Sequence, residues 1–179
     1  MLKKILLVLV VLILVFVVIV ALQPADFRVI RSTTINAPRE IVFKQVSDFR
    51  NWEAWSPWAK LDPNVRNTFE GTFEEKGSKF LWVGNDKVGE GKMEILETKP
   101  PEYLKLSLEF VKPMASTAIT EYKFEPKGEG TEITWTMSGT NGFVGKAFCM
   151  FVNMDKMVGG DFEKGLADIK KISEAAAKK

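Results

Sequence analysis

The stretch GKAFCMFVNMDKMVGGDFEKGLADIKKI, residues 145–172, decides how the rest of the chain is read. Met150, Met154 and Met157 fall at i, i+4 and i+7, so a helix puts them on one face. Beyond Gly159-Gly160, the residues Phe162, Leu166, Ile169 and Ile172 carry an apolar stripe onward at the same period. The two glycines predict a kink, or a hinge that admits a ligand, and Asp161 is placed to cap the helical piece that follows. A one-sided stripe has to be buried against another element.

The preceding hundred residues supply that element. Short runs at Asn67–Glu70, Ser78–Val83, Gly89–Thr98, Tyr103–Phe110, Ser116–Glu125 and Thr131–Gly139 are separated by Gly71, Gly77, Gly84-Asn85-Asp86, Pro100-Pro101, Lys112-Pro113 and Gly128-Glu129-Gly130. Connections this short imply an antiparallel meander. Alternation then selects the apolar face: Leu104, Leu106, Leu108 and Phe110 on one strand, Ala118, Thr120, Tyr122 and Phe124 on the next, Ile133, Trp135 and Met137 on the last. Phe80 and Trp82 are expected to share that face with Met93 and Ile95, although here both parities carry apolar residues.

Upstream, Phe27–Ile35 reads as a strand rich in Val, Ile and Thr, and Pro38–Ser47 as a short amphipathic helix with Pro38 in its first turn. Between that helix and the meander, residues 48–58 (DFRNWEAWSPW) hold three of the five tryptophans. Trp52 and Trp55 are three apart, so one helical turn stacks them. They either plug the junction of helix and sheet or, with Trp58, line a pocket mouth or touch a membrane interface.

The N-terminus is a separate segment. Ile5 to Leu22 is an unbroken apolar run of 18 residues behind Lys3 and Lys4. That length suits a transmembrane helix, which needs roughly 17–25 residues. The alternative is a cleaved signal peptide, whose apolar region is shorter, about 7–15 residues, and ends in a small-x-small site; here Ile19-Val20-Ala21 offers a bulky residue instead. Residues 1–22 are therefore read as a single-pass anchor, 23–26 as a spacer, 27–173 as one domain and 174–179 as a basic tail. Lys3 and Lys4 place the N-terminus inside a cytoplasmic membrane and the domain on its outer side, a bias weakened by Arg28 and Arg31.

Without Lys3 and Lys4 the chain carries 23 basic and 23 acidic residues. A neutral domain has no electrostatic footprint for nucleic acid. No histidine is present, which removes Ser-His-Asp and Cys-His catalysis and histidine metal ligation. Cys149 is the only cysteine, so no internal disulfide or multi-cysteine zinc site can form, and its apolar neighbours suggest a buried thiol. No metal, cofactor or catalytic residue is assigned.

The order strand, short helix, tryptophan turn, meander, long C-terminal helix is a helix-grip arrangement of the α+β class. On residues 35–43 (INAPREIVF), 48–58, 89–93 (GEGKM), 131–135 (TEITW) and 161–166 (DFEKGL), the sequence resembles the SRPBCC superfamily, START-like and Bet v 1-like, and within it bacterial proteins labelled polyketide cyclase/dehydrase-like. The resemblance implies a seven-stranded antiparallel sheet gripping the C-terminal helix, with a hydrophobic cavity between them. Members hold lipids, sterols or polyketides there; no shared catalytic set transfers to numbered positions.

These readings converge on a membrane-anchored module binding a hydrophobic small molecule or lipid. The expected lining is Trp82, Met93, Leu106, Tyr122, Trp135, Met150, Met154 and Met157, with Trp55 and Trp58 at the mouth. An enzyme in the same cavity would depend on Tyr122, since Glu109 and Glu121 point outward. A surface interaction module is the third reading.

Overall fold

In the computed structural model, which describes residues 1–178, α1 (Leu2–Leu22) precedes a single sheet and its helices. β1 (Asp26–Ile35) is followed by α2 (Arg39–Ser47), a 3-10 turn (Phe49–Asn51) and α3 (Trp52–Trp55). Then come β2 (Arg66–Glu70), β3 (Lys79–Val83), β4 (Glu90–Lys99), β5 (Tyr103–Lys112), β6 (Ser116–Lys127) and β7 (Gly130–Thr140). The chain finishes with α4 (Phe143–Cys149) and α5 (Met154–Ala176).

The seven strands are all antiparallel in the order β1-β7-β6-β5-β4-β3-β2, a meander whose far edge is closed by the first strand. The alternation fixes the inner face as expected. Leu104, Leu106, Tyr122, Phe124, Ile133 and Trp135 are buried, with α5 on the same side. The mixed parity of β4 has a local cause: its register against β5 shifts between Ile95 and Glu97, so Leu96 is an extra residue in a bulge.

The tryptophan turn closes the end of α2. Trp52 Nε1 donates to the Val46 carbonyl and Trp55 Nε1 to the Gln45 carbonyl, both at 2.8 Å. These are among the last carbonyls of a helix, which have no partner within it. The two rings lie 4.7 Å apart. Asp48, with a side chain only 4% exposed, accepts from the Arg50 backbone N–H at 3.0 Å and from its guanidinium at 2.6 and 2.8 Å, fixing the turn.

The C-terminal helix departs from the sequence reading. One helix broken at Gly159-Gly160 was the expectation; the break falls instead at Met150–Asn153, and α5 runs through both glycines. Asn153, not Asp161, is the cap, its side chain accepting from the Lys156 N–H at 2.9 Å. Gly159 is neither kink nor hinge but a slot for Arg31, since a Cβ there would come within 2.0 Å of the Arg31 Nη2. Arg31 reaches from β1 over this glycine to Asp155 at 2.9 Å and Glu163 at 2.7 Å, tying strand to helix. The basic tail shortens accordingly, because residues 174–176 belong to α5, and Lys179 lies outside the described residues.

Candidate functional site

The inner face changes character along its length. At the end carrying the β6–β7 turn, Leu104, Tyr122 and Ile133 are fully covered. Trp135, paired with Tyr122, is at 2%, and one pair further Leu106 and Ile95 are at 0%, Thr120 at 2% and its partner Met137 at 9%. Continuing the same way, Leu108 reaches 6%, its neighbours Ala118 and Gly139 are half-buried, and so is Phe110 beyond them. Three neighbouring strands therefore lose their cover in the same direction, toward the end where β1 starts at Asp26.

The covered end is solid. Trp135 stacks on Phe162 of α5 with centroids 3.8 Å apart and planes at 9°, so sheet and helix touch and no cavity separates them there. Tyr122 packs on Trp135 at 5.1 Å and Trp55 on its edge at 5.8 Å. Gly165 makes this approach possible, since a Cβ there would come within 3.0 Å of Trp135. Within this packing the Tyr122 hydroxyl and the Trp135 Nε1 have no hydrogen-bond partner among the described residues. Burial pushes the Tyr122 phenol well above its ordinary pKa, so it remains a proton donor.

The open end is an apolar wall. Trp82 meets Phe110 edge-on at 5.7 Å and Phe80 at 5.6 Å, and its Nε1 donates to the Val88 carbonyl at 3.2 Å. Its indole lies across Gly91, where a Cβ would come within 2.4 Å of the ring. Met93 and Phe27 are half-buried on the same side.

The expected lining thus divides into three groups. Leu106, Tyr122 and Trp135 sit in the solid end, and Trp82 and Met93 on the open wall. Met150, Met154 and Met157 lie at the α4–α5 junction, where Met150 is 38% and Met157 47% exposed and Met154 is half-buried. The three methionines do not form one face because the helix breaks between the first and second. Trp55 is fully buried and not at a mouth, being consumed by the cap of α2 and by Trp135. Trp58 is half-buried against Trp135 and Phe162. Cys149 is half-buried rather than buried, taking a hydrogen bond from Asn141 Nδ2 at 3.5 Å. The sequence reading missed Leu108, Phe110, Ala118, Met137 and Phe27 as a group. The inward parity of the first four was visible, that of Phe27 was not read, and their common end emerges only when register aligns the strands.

The carboxylates weighed as catalytic candidates lie outside this face. Glu109 pairs with Lys92 at 3.0 Å and Glu121 accepts from the Tyr103 hydroxyl, whose pKa burial and that bond both raise. Two solvent-open depressions, of about 420 and 320 Å³, lie at the two ends of the sheet. The first is lined by Phe27 and Gly139 of the open end together with Arg28, Ile119, Ser138 and Thr140, the second by Arg39, Glu102, Lys123 and Glu125 at the covered end.

Comparison with known proteins decides the lineage. A family model described as polyketide cyclase / dehydrase and lipid transport matches residues 26–174. The chain belongs to that family. No curated protein matches its sequence significantly. Among solved structures, a Staphylococcus aureus protein of unknown function is 11% identical with a TM-score of 0.63, covering 87% of this chain and 98% of its own. The Aha1 dimer of Colwellia psychrerythraea is 13% identical at 0.59, covering 83% and 96%. The major latex-like protein 151 of Panax ginseng is 13% identical at 0.56, covering 86% and 98%. At such identities the likeness is one of fold. As a member of the polyketide cyclase / dehydrase and lipid transport family, the chain has the Bet v 1-like helix-grip fold, with an N-terminal helix long and apolar enough to cross a membrane.

Proposed function

We propose that the protein is a single-pass, membrane-anchored module that holds a hydrophobic small molecule or lipid against the open end of its inner face. The observation carrying this reading is the burial gradient along β5, β6 and β7. A domain of this size can bury all its large inward side chains, yet Phe110 and Met93 near Trp82, and Phe27 against Gly139, remain half-buried. An apolar wall with a few polar groups at its base is the usual make-up of a small-molecule site. The Tyr122 hydroxyl and Trp135 Nε1 lie deeper, inside the packed end and closed to a ligand, so the apolar wall itself makes the site proposed here.

The anchor reading rests on α1. At about 1.5 Å per residue its 21 residues span about 30 Å, the thickness of a bilayer core. Within the molecule only Val20 of this helix is buried, so the rest needs another cover. Lys3 and Lys4 favour an inside N-terminus with the domain on the outer side. Binding is favoured over catalysis because the inward positions Leu104 to Phe110 and Ala118 to Phe124 carry no carboxylate, lysine or histidine.

The test is native mass spectrometry of the detergent-purified full chain, with organic extraction of what accompanies it. A stoichiometric apolar molecule is expected, lost on Ala118→Trp, which fills the open end at a half-buried position. A chain that arrives empty and binds no fluorescent fatty-acid or polyaromatic probe overturns the proposal. The intact mass decides between retained anchor and cleaved leader.

A further inference from the structure

The sheet end that loses its cover is also the end that α1 joins, because only residues 23–25 separate α1 from β1. β7 ends opposite the start of β1, with Asp26 paired to Thr140, so α4 leaves the sheet where α1 enters it. Two hydrogen bonds hold this arrangement: the Asn141 N–H donates to the Ala25 carbonyl, and Lys146 Nζ to the Ala21 carbonyl, both at 2.8 Å.

What α4 and its exit present is apolar. Phe143 is 47% exposed, Val144 64%, Phe148 48% and Phe151 79%. The β5–β6 connection, at the same end of the sheet, adds Val111 at 53% and Met114 at 51%. Between Thr140 and Asp155 the only charged side chain is Lys146, and no carboxylate occurs. A contiguous exposed apolar surface marks an interaction site, and its position says with what. Val20 and Ala21, at the membrane-leaving end of α1, are the residues α4 lies beside.

We infer that α4, its exit through Phe151 and the β5–β6 tip form a membrane-interfacial face, seated in the headgroup region of the leaflet from which α1 emerges. An apolar segment with a lone lysine suits this depth, where rings enter the acyl boundary and a cation meets phosphates. The inference rests on α1 being a membrane anchor. Its consequence is that the open wall around Trp82 and Phe110 faces lipid rather than water, so an apolar ligand passes between leaflet and wall without crossing solvent.

The test uses the full chain in nanodiscs of zwitterionic and anionic phospholipid. Single nitroxides are placed by Phe151→Cys, Met114→Cys, Val11→Cys or Glu129→Cys, each with Cys149→Ser, and collisions with oxygen and with a water-soluble nickel chelate are compared. Glu129 lies in the exposed β6–β7 turn at the opposite end. The expected result is an oxygen-to-nickel ratio several-fold higher at positions 151 and 114 than at 129, approaching that at 11. A lipid-like reading at 11 with water-like readings at 151 and 114 overturns the interfacial face and leaves the anchor standing. Water-like readings at all four overturn the anchor, and the inference with it. Positions 151 and 114 shielded from both reagents mean that protein covers the face, a second copy or another partner, and this also overturns the inference.

Discussion

Phe162 and Phe151 are eleven residues apart, and the molecule uses them in opposite ways. Phe162 stacks on Trp135 and is 1% exposed, while Phe151 stands 79% exposed between α4 and α5. The first belongs to a packed end where sheet and helix touch, the second to an end where apolar surface is left uncovered. Hydrophobicity alone does not separate them. What separates them is distance along the strands from the point where α1 joins, which leaves the molecule with a rigid base and an apolar open end.

The largest effect that could break the comparison is in stability. For the domain from Gln23 onward, whose core cluster includes no residue of α1, Phe162→Ala is expected to cost about 3–5 kcal/mol in urea unfolding. Phe151→Ala should stay within about 0.5 kcal/mol, as for a surface change. Equal losses would mean that the open end is packed after all. Next is Gly91→Ala on the open wall. Its new Cβ would lie 2.4 Å from the Trp82 ring and 2.5 Å from the Glu109 carbonyl oxygen. A cost of about 1–3 kcal/mol is expected, with a blue- or red-shifted tryptophan emission reporting the displaced indole.

Asp48→Asn tests the turn beneath the packed end, with an expected loss of about 1–3 kcal/mol at neutral pH. The Arg50 guanidinium holds the Asp48 carboxyl below its ordinary pKa. Its contribution is therefore complete above the unfolded value, near about 4, and fades as pH falls through the lower folded value. The gap between wild type and variant should close in acid, and a pH-independent gap would remove the ion pair from the account. The smallest effect distinguishes the two adjacent glycines of α5. Gly160→Ala meets nothing within 4 Å and should gain about 0.5–1 kcal/mol. Gly159→Ala displaces Arg31 from its slot and should show no such gain. A gain at both positions would return Gly159 to the role of a mere flexible joint.

Much of this was readable in the chain. Alternation in β5, β6 and β7 named the inner face residue by residue, because a pleated strand permits only two choices. The tryptophan turn was visible as a plug, but not that Trp55 would be spent on a helix cap, since that depends on which carbonyls α2 leaves free. The methionine spacing deceived because 3.6-residue periodicity persists through a short break. Only Asn153, a capping residue in the midst of the run, hinted at where the helix restarts. Gly159-Gly160 looked like a joint because the partner of Gly159, Arg31, is more than a hundred residues away. The open end was illegible for a related reason: inward parity is local, whereas depth along the sheet is a property of register between strands.

The pairing of β1 with β7 also sets a timetable. The partner of Asp26 is Thr140 and that of Ile35 is Thr131, so the first strand made is the last to be accommodated. At a synthesis rate of about 5–20 residues per second, the ribosome needs on the order of 5–20 seconds to supply β7 after β1 has emerged. During that interval β1 waits with its edge unpaired. Ser32, Thr33 and Thr34 in its second half, together with Arg28 and Arg31, keep the waiting strand from being an all-apolar edge on which another chain could pair.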